Sequence, residues 1–197
     1  MFGCTTETAS RADSLAASPD SPLVRTDSPA KSVDSALIAG SPATPTTTDP
    51  ASWKVNMRGL GPIQAGMTLD EANAASGNRL IIPATLEECD FVRLGKGPDD
   101  PLFMVEQRKI ARVDVVRSST ITTEAGAKIG DTEDRIKALY PGVATQPHKY
   151  TDGHYLVVTP SATADQPYRL IFETDGQRVL RYRSGRMPFV EYVEGCS

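Results

Sequence analysis

The amino-acid sequence predicts an α+β fold in which two tandem copies of a short helix and an antiparallel β-meander follow a disordered tail. Three observations support this prediction: a change of composition near residue 51, a helix-start pattern that occurs twice, and two matching hairpin patterns. We therefore divide the 197 residues into a spacer over 1–51, a first repeat over 52–118 and a second repeat over 119–197.

The first 50 residues have a strongly biased composition. They contain 8 Ser, 8 Thr, 8 Ala and 6 Pro, so four residue types fill 30 of the 50 positions. Ordering a backbone costs roughly 1–2 kcal/mol per residue, and the few apolar side chains here cannot offset that cost. Repeated Ser-Pro steps also interrupt helices and favour extended backbone. The segment is therefore predicted to be a disordered spacer.

The three cysteines favour a disulfide over a metal site. Cys4, Cys89 and Cys196 are far apart, with no C-x-x-C pair and no neighbouring histidine to complete a zinc site. A bridge between Cys89 and Cys196 would close a loop of about 107 residues and add roughly 2–4 kcal/mol to stability. The alternative is a cytosolic chain with three free thiols.

The remaining cysteine, Cys4, follows Gly3 and precedes the Ser/Thr/Pro spacer. A small residue before an early cysteine resembles the lipid-attachment site of a bacterial lipoprotein. The resemblance implies a lipid at Cys4 and a place in the cell envelope. An Asp directly after the lipid-bearing cysteine would resemble an inner-membrane retention signal, but Thr5 occupies that position. We therefore expect the protein at the outer membrane, facing the periplasm. Such a protein needs a signal peptide, which we suppose to lie upstream of the given sequence.

A helix-start pattern occurs in residues 65–72 and again in 129–136. In the first copy Thr68 can cap the free backbone N–H groups, and Glu71 completes a capping box. In the second copy Thr132 takes the capping position, and two acidic residues follow it at the positive end of the helix dipole. The predicted helices are residues 69–75 and a second helix that ends before Pro141-Gly142.

Two segments match each other as β-hairpins. Residues 102–107 and 110–114 are β-rich runs around a short turn, and 170–174 and 179–183 repeat the pattern around Asp175-Gly176. An Asp-Gly pair between two such runs is a strong hairpin signal. Further strands are predicted over 53–57, 89–94 and 154–159.

The second hairpin carries the most distinctive charge pattern of the sequence. In its last strand Arg181 and Arg183 alternate with Leu180 and Tyr182, so we expect the latter two on a buried face. Arginine together with tyrosine suits a protein interface, because Arg forms forked hydrogen bonds and Tyr buries a large area. The candidate partner-binding residues are Tyr168, Arg169, Arg178, Arg181, Tyr182, Arg183 and Arg186. A partner with an acidic rim is expected, and the alternative is an ordinary strand whose arginines pair with neighbouring acids.

The pattern Gly-Met-Thr-x-x-Glu-Ala followed by a meander, twice in tandem, resembles the superfamily of the beta-lactamase inhibitory protein and the small outer-membrane assembly lipoproteins. The matching residues are Gly66-Met67-Thr68 and Gly130-Asp131-Thr132. Residues 129–133, 140–142 and 193–196 also resemble a group of uncharacterised bacterial lipoproteins. The resemblance implies recognition of another protein by an exposed sheet face, and it supplies no contact residues.

Composition and motifs narrow the function classes. A formal charge of -4 and a pI near 5.2 argue against nucleic-acid binding, and no apolar run approaches the length of about 18 residues that a membrane span needs. The sequence contains no G-x-S-x-G, Walker A or H-E-x-x-H motif and no dinucleotide fingerprint. No enzymatic activity, cofactor or metal is therefore predicted.

The expected function is that of a lipid-anchored cell-envelope protein that binds another protein, as an inhibitor or immunity protein does. One alternative is a structural or assembly lipoprotein of an envelope complex. A second is a carbohydrate-binding module that stacks sugars on tyrosines or on Trp53. A third is a hydrolase that uses Asp152 and His154, which with His148 form a weak polar cluster.

Overall fold

The structure is a computed structural model that describes residues 49–116 and 120–196. The predicted lipid-attachment residue Cys4 and nearly all of the predicted 1–51 spacer lie outside the described residues. The described part begins at Asp49, whose carboxylate accepts a hydrogen bond from the Ala51 N–H at 3.0 Å. This contact caps a 3₁₀ turn over Pro50–Ser52.

An antiparallel sheet of eight strands forms the centre of a mixed α/β fold with two α-helices among the described residues. The strands are β1 Gly59–Leu60, β2 Ile63–Gln64, β3 Leu80–Ile81, β4 Cys89–Leu94, β5 Leu102–Glu106, β6 Lys109–Val115, β7 Ala144–Pro147, β8 His154–Val158, β9 Tyr168–Thr174 and β10 Val179–Arg186, and the helices are α1 Leu69–Ala75 and α2 Glu133–Leu139. Strands β1 and β2 form a separate two-stranded sheet. The order across the large sheet is β3-β4-β5-β6-β10-β9-β8-β7, so β6 and β10 meet at its centre.

Helix α1 begins with the capping box that the sequence predicts. The Thr68 hydroxyl accepts from the Glu71 N–H at 3.3 Å, and the Glu71 carboxylate accepts from the Thr68 N–H at 2.8 Å. Two backbone donors at the helix start are thereby satisfied. Leu69 and Ala72 are buried, and the helix ends before Gly77, which takes the left-handed φ of 71° that favours glycine. The predicted bounds of this helix are confirmed.

Helix α2 uses the same capping position in the second half of the chain. The Thr132 hydroxyl accepts from the Arg135 N–H at 3.2 Å. The helix ends at Leu139, with Tyr140 as its C-cap, before the predicted stop at Pro141-Gly142. Ile136 points into the core. Glu133, in the first turn, is also buried and binds side chains of the sheet.

Both predicted hairpins are present as antiparallel pairs, β5 with β6 and β9 with β10. The first turns at Gln107 and Arg108, which have φ angles of 49° and 60°. Two left-handed residues in a row match the twist of a tight hairpin. The second turn is fixed by Asp175, whose carboxylate accepts from the N–H groups of Gln177 and Arg178 at 2.8 and 2.7 Å.

The predicted strand over residues 53–57 is wrong. Only Val55 makes β-bridges in this segment, one with Leu60 and one with Thr123. A single residue that bridges two separate segments cannot start a ladder, so the segment remains a connection. Trp53 is nevertheless 6% exposed and belongs to the core, so little of its ring surface is accessible for stacking on a sugar.

A register shift in β10 changes which side chains face the core. Its pairing with β9 shifts between Val179 and Arg181. Val179 and Tyr182 are consequently buried, whereas Leu180 is 50% exposed. The expectation that Leu180 faces the core is wrong, because a bulge places an additional residue between two inward positions.

The core lies between the inner face of the sheet and the two helices, and it joins both halves of the described chain. Phe172 is at its centre, with ring-centroid distances of 5.5 Å to Tyr182 and 5.6 Å to Tyr140. The hydroxyl of Tyr182 donates to the Ile121 carbonyl at 2.7 Å. The polar atom of this buried ring is thus satisfied, as buried polar groups need to be.

Strands β6 and β10 approach each other very closely at Gly185. A Cβ atom at this position would lie 2.4 Å from the Cβ of Arg112 and 2.5 Å from the carbonyl oxygen of Ala111. A larger residue would therefore push apart the two strands that join the halves of the sheet. The absence of a side chain here leaves room for Arg112 to extend over the outer face.

Candidate partner-binding surface

The outer face of the sheet points away from the helices. Directly opposite residues on neighbouring antiparallel strands point to the same face. One row across this face, followed through the strand registers from β3 to β7, is Ile81, Arg93, Leu102, Asp114, Arg183, Ile171, Val157 and Ala144. The outer face therefore mixes charged and apolar residues, in contrast to the apolar inner face.

Residues 187–196, which follow β10, cross the outer face, and we call this segment the strap. It includes a 3₁₀ turn over Phe189–Glu191 that contacts β6, β9 and β10. The strap residue Val190 is fully buried and packs in a small apolar cluster with Tyr155, Val157 and Ile171. The strap therefore covers the centre of the outer face with its own apolar contacts.

Two buried arginines of the sheet hold the backbone of the strap. Arg112, 4% exposed, donates to the carbonyl oxygens of Phe189 and Tyr192 at 2.8 and 2.7 Å. Arg183, 5% exposed, donates to the carbonyl oxygen of Val190 at 2.6 Å. Burial and the neighbouring Arg112 charge lower the pKa of Arg183. These charge-assisted hydrogen bonds satisfy three carbonyl groups that no strand pairing reaches.

The far end of the strap is attached covalently to β4. Cys89 and Cys196 form a disulfide with an S–S distance of 2.09 Å and a Cα–Cα distance of 5.4 Å, which confirms the predicted pairing. Beside it, Gly195 lies against the Phe91 ring, where an added Cβ atom would be 3.1 Å from the ring carbon Cε2. An ion pair between Lys149 and Glu194, 3.1 Å long, fixes the strap to the β7–β8 loop.

Glu173 on β9 is the centre of a buried charge network on the outer face. Its carboxylate accepts from Arg181 at 2.5 Å and Arg183 at 3.3 Å, and it is 3.0 Å from Nε2 of His148. Burial raises the pKa of Glu173, but hydrogen bonds from Arg181 and His148 and the charges of Arg181 and Arg183 lower it more, so the pKa lies below its ordinary value of 4.5. The carboxylate is thus held in its charged form.

The surroundings of His148 determine which ring nitrogen carries the proton. Nδ1 accepts from the backbone N–H groups of Tyr150 and Thr151 at 3.0 and 3.1 Å. A nitrogen that accepts hydrogen bonds carries no proton, so the N–H group is at Nε2 and donates to Glu173. His148 therefore connects the β7–β8 loop to the charge network of the sheet.

The second histidine binds a different carboxylate. Nδ1 of His154 is 2.8 Å from Glu133, and the same carboxylate accepts from the Thr174 hydroxyl at 2.6 Å and from Lys137 at 3.3 Å. The two histidines are thus separated into two networks, and neither is bonded to Asp152, the residue with which they were grouped in the sequence. Among residues 49–116 and 120–196, no group of three or more His, Cys, Asp or Glu side chains is placed to hold a metal ion.

These two glutamates predict how stability depends on pH. Burial raises the pKa of Glu133, but hydrogen bonds from Thr174, His154 and Lys137 lower it more, so it lies below 4.5, as that of Glu173 does. Carboxylates with lowered pKa values stabilise the fold fully above their unfolded pKa, and that contribution is lost as the pH falls through the folded value. Urea unfolding should therefore show a falling free energy of unfolding below about pH 4.5. The double variant Glu133→Gln/Glu173→Gln should show a shallower slope, and an unchanged slope would contradict this assignment.

A groove on the outer face remains open beside the strap. It consists of two adjoining hollows of about 520 and 200 Å³, which share Leu102, Val116 and Arg181. Arg93 and Leu180 line the larger hollow, and strap residues 193–195 border the smaller one. We call this the outer groove. Its lining combines apolar residues with four arginines, Arg93, Arg112, Arg181 and Arg183, and two acids, Asp114 and Glu194.

A larger hollow of about 650 Å³ lies at the β3 edge of the sheet. Its lining combines the cations Arg79 and Lys96 with the acids Asp99 and Asp100 around the exposed Ile81. Because equal numbers of opposite charges line it, this hollow has no charge preference that would select a ligand.

The predicted partner-binding residues do not form one surface. Arg181 lines the outer groove, and Arg183 also borders its smaller hollow but is buried under the strap. Tyr182 is buried in the core, so the assignment of Tyr182 and Arg183 as exposed partner contacts is corrected. The alternation in the sequence could not show this, because the strap covers a position that a bare strand would expose. Arg178 donates to the carbonyl oxygen of Gly130 at 2.8 Å near the start of α2. The other members, at the opposite end of β9 and β10, are Tyr168, Arg169 and Arg186.

Several residues of the surface are not among those predicted from the sequence, namely Arg93, Leu102, Arg112, Val116 and Leu180. The signal that could have found part of it is the alternation of Arg112 with Asp114, which places two charges on one face of a strand that is otherwise apolar. The run of apolar and aromatic residues between β10 and Cys196 is a comparable signal for a segment that packs on the sheet.

Comparisons with known proteins give one structural match to report. The crystal structure of the uncharacterized protein yfeY from Escherichia coli matches with a TM-score of 0.44 and 20% sequence identity, over 68% of this chain and 99% of that chain. No protein-family model matches the chain, and no curated protein does. Within the described part of the chain, neither α-helix has the length and apolar character needed to cross a membrane.

Proposed function

We propose that this chain is a protein-binding module that receives an acidic loop of its partner in the outer groove. The observation that carries the proposal is that the exposed Leu180 lines one hollow together with Arg93 and Arg181. Arginine is enriched at protein interfaces over the remaining surface, and an exposed apolar side chain in the same hollow adds contact area that a partner can bury.

The charges of the groove favour an acidic partner, because four arginines line it and its two acids, Asp114 and Glu194, are already paired with Arg112 and Lys149. Arg93 donates to the carbonyl oxygens of Gly97, Pro98 and Asp100 at 3.3–3.4 Å. Within residues 49–116 and 120–196 it forms no ion pair. Arg181 pairs with Glu173, yet its side chain is 47% exposed and can bind a second carboxylate. Partner carboxylates that enter this hollow would gain charge-assisted hydrogen bonds from the guanidinium groups that line it.

The cellular place and the origin of the fold belong to the same proposal. We place the module at the cell envelope, attached through a lipid at Cys4, and we propose that it arose by duplication of a helix followed by four strands. The Cys89–Cys196 bridge supports the placement, because disulfides persist in oxidising compartments. The strand order supports the duplication, since the second half repeats the first in reverse order across the β6–β10 centre.

Replacing Leu180 with aspartate should abolish binding of the partner. The change removes an apolar contact and places a negative charge beside Arg93 and Arg181, where it competes with the partner's carboxylate. Because Leu180 is half exposed, the fold should tolerate it. Envelope proteins are captured on the immobilised chain and identified by mass spectrometry, and the purified partner is then titrated calorimetrically against wild type and variant. The dissociation constant should rise about tenfold or more, as for the loss of a central interface contact.

The matched control is Tyr150→Asp, a change of the same kind at a side chain that is 56% exposed and lies outside the groove. This variant should bind the partner as wild type does. Equal affinities of wild type and Leu180→Asp would overturn the proposal, as would equal losses in both variants.

The alternative role as a structural or assembly lipoprotein remains a prediction that stoichiometry tests. An assembly subunit should purify from the envelope in a constant ratio to its complex. An inhibitor or immunity protein should bind a separately purified enzyme when the two are mixed, and it should reduce the activity of that enzyme in proportion to the amount bound.

A further inference from the structure

The outer face beneath the strap has the features of a second peptide-binding surface. Arg112 and Arg183 bind backbone carbonyl groups of the strap, and Val190 fills an apolar depression between Tyr155 and Ile171. Guanidinium groups that bind carbonyls and a pocket for one apolar side chain can recognise a polypeptide with little dependence on its sequence. The strap itself occupies this surface.

One polar atom under the strap is not satisfied by it. The hydroxyl of Tyr155 is buried and has no hydrogen-bond partner among the described residues. Its ring stacks on His148 at a centroid distance of 4.6 Å, and the Arg183 guanidinium lies 5.6 Å from the ring centroid. A buried hydroxyl without a partner costs roughly 1–3 kcal/mol. The fit of the strap to this surface is therefore incomplete, and a segment that offered a polar group here would fit better.

We propose that the strap is a disulfide-latched cover over a peptide-binding surface formed by Arg112, Arg183 and Tyr155, and that reduction of the Cys89–Cys196 bridge lets a partner's polypeptide segment take its place. The expected occupant supplies backbone carbonyl groups to the two arginines, an apolar side chain to the depression filled by Val190, and a polar group to the Tyr155 hydroxyl. The inference rests on the proposed function, because it assigns a second binding surface, covered by the strap, to the same outer face that carries the outer groove.

The latch can be opened by a defined reaction. A thiolate of a dithiol reductant attacks one sulfur of the bridge, which breaks the S–S bond, releases the other cysteine as a thiolate and forms a mixed disulfide. The second thiolate of the reductant then attacks the reductant's own sulfur in the mixed disulfide and releases the first cysteine as a thiolate. The products are two cysteine thiols in this chain and an oxidised, cyclic disulfide reductant, so two electrons pass to the bridge. Cys196 is exposed and Cys89 is half buried, which leaves the bridge accessible to such an attack. After reduction the strap keeps its hydrogen bonds to the arginines but loses its attachment to β4.

The test uses the chain's own strap sequence as the probe. A fluorescent peptide of residues 187–196, with serine in place of its cysteine, is titrated by anisotropy against oxidised wild type and against the double variant Cys89→Ser/Cys196→Ser. The peptide should bind the bridge-free variant at least about tenfold more tightly than oxidised wild type, because its own strap is no longer fixed to the surface. A second peptide with Val190→Asp should bind neither protein.

A second measurement protects the test against misfolding of the double variant. Amide hydrogen exchange at Glu191 and Tyr192, whose N–H groups are bonded within the strap, is measured in wild type before and after addition of a dithiol reductant. Exchange should accelerate at least about tenfold on reduction, while exchange in β9 stays unchanged. Equal peptide binding by both proteins, binding by neither, or exchange that does not respond to reduction would overturn the inference. None of these outcomes involves Leu180 or the acidic partner, so failure here is distinguishable from failure of the proposed function.

Discussion

Replacement of Glu173 with alanine is expected to lower the free energy of unfolding by about 3–5 kcal/mol, the range seen when one partner of a buried ion pair is removed. The carboxylate receives hydrogen bonds from Arg181, Arg183 and His148, and it is 4% exposed. Its loss leaves the buried Arg183 charge without a carboxylate of its own. Urea unfolding at pH 7, followed by circular dichroism, measures the effect.

A control separates the effect of the buried network from the loss of a glutamate side chain as such. Glu191→Ala removes a carboxylate of the same size from the strap, where it is exposed and forms no ion pair with any other described residue. This variant should change the free energy of unfolding by less than about 0.5 kcal/mol. A loss below about 1 kcal/mol for Glu173→Ala would mean that the network contributes little to the fold.

Replacement of Phe172 with alanine is the second change with a large expected effect, a loss of about 3–5 kcal/mol. Phe172 is fully buried and contacts the rings of Tyr140 and Tyr182. The cavity would open where α2 meets β9 and β10, and neighbouring rings cannot fill it without leaving their own contacts. Chemical denaturation at neutral pH gives the value.

Leu180→Ala provides the comparison for this core variant. Leu180 lies on the adjacent strand but is half exposed, so its truncation should cost less than about 1 kcal/mol. Similar losses for the two variants would contradict the assignment of Phe172 to the centre of the core.

The parts of the fold that depend on local sequence were predictable. Thr68 and Glu71 form the expected capping box, because both partners lie within four residues of each other. The hairpin around Asp175-Gly176 was likewise predictable, because the turn residues and the β-rich runs that they join are neighbours in the sequence. The Cys89–Cys196 bridge followed from the small number of cysteines.

Features that depend on distant contacts were not predictable. The bulge that exposes Leu180 arises from the pairing of β10 with β9, and no pattern within β10 indicates it. Arg183 has the sequence context of an exposed strand residue, but a segment seven residues further along covers it. The candidate site was therefore identified only in part: of the predicted residues, Arg181 and the largely buried Arg183 line the outer groove.

The most direct test of the central claim is a hydrogen-exchange footprint of the purified partner on this chain. If the partner binds the outer groove, amide exchange should slow in residues 95–101, which border Arg93 and Leu102, and around Leu180. Exchange in α1 and α2, on the opposite side of the sheet, should stay unchanged. Slower exchange confined to the helices, with none in residues 95–101 or at Leu180, would contradict the claim that this chain binds its partner with the outer face of the sheet.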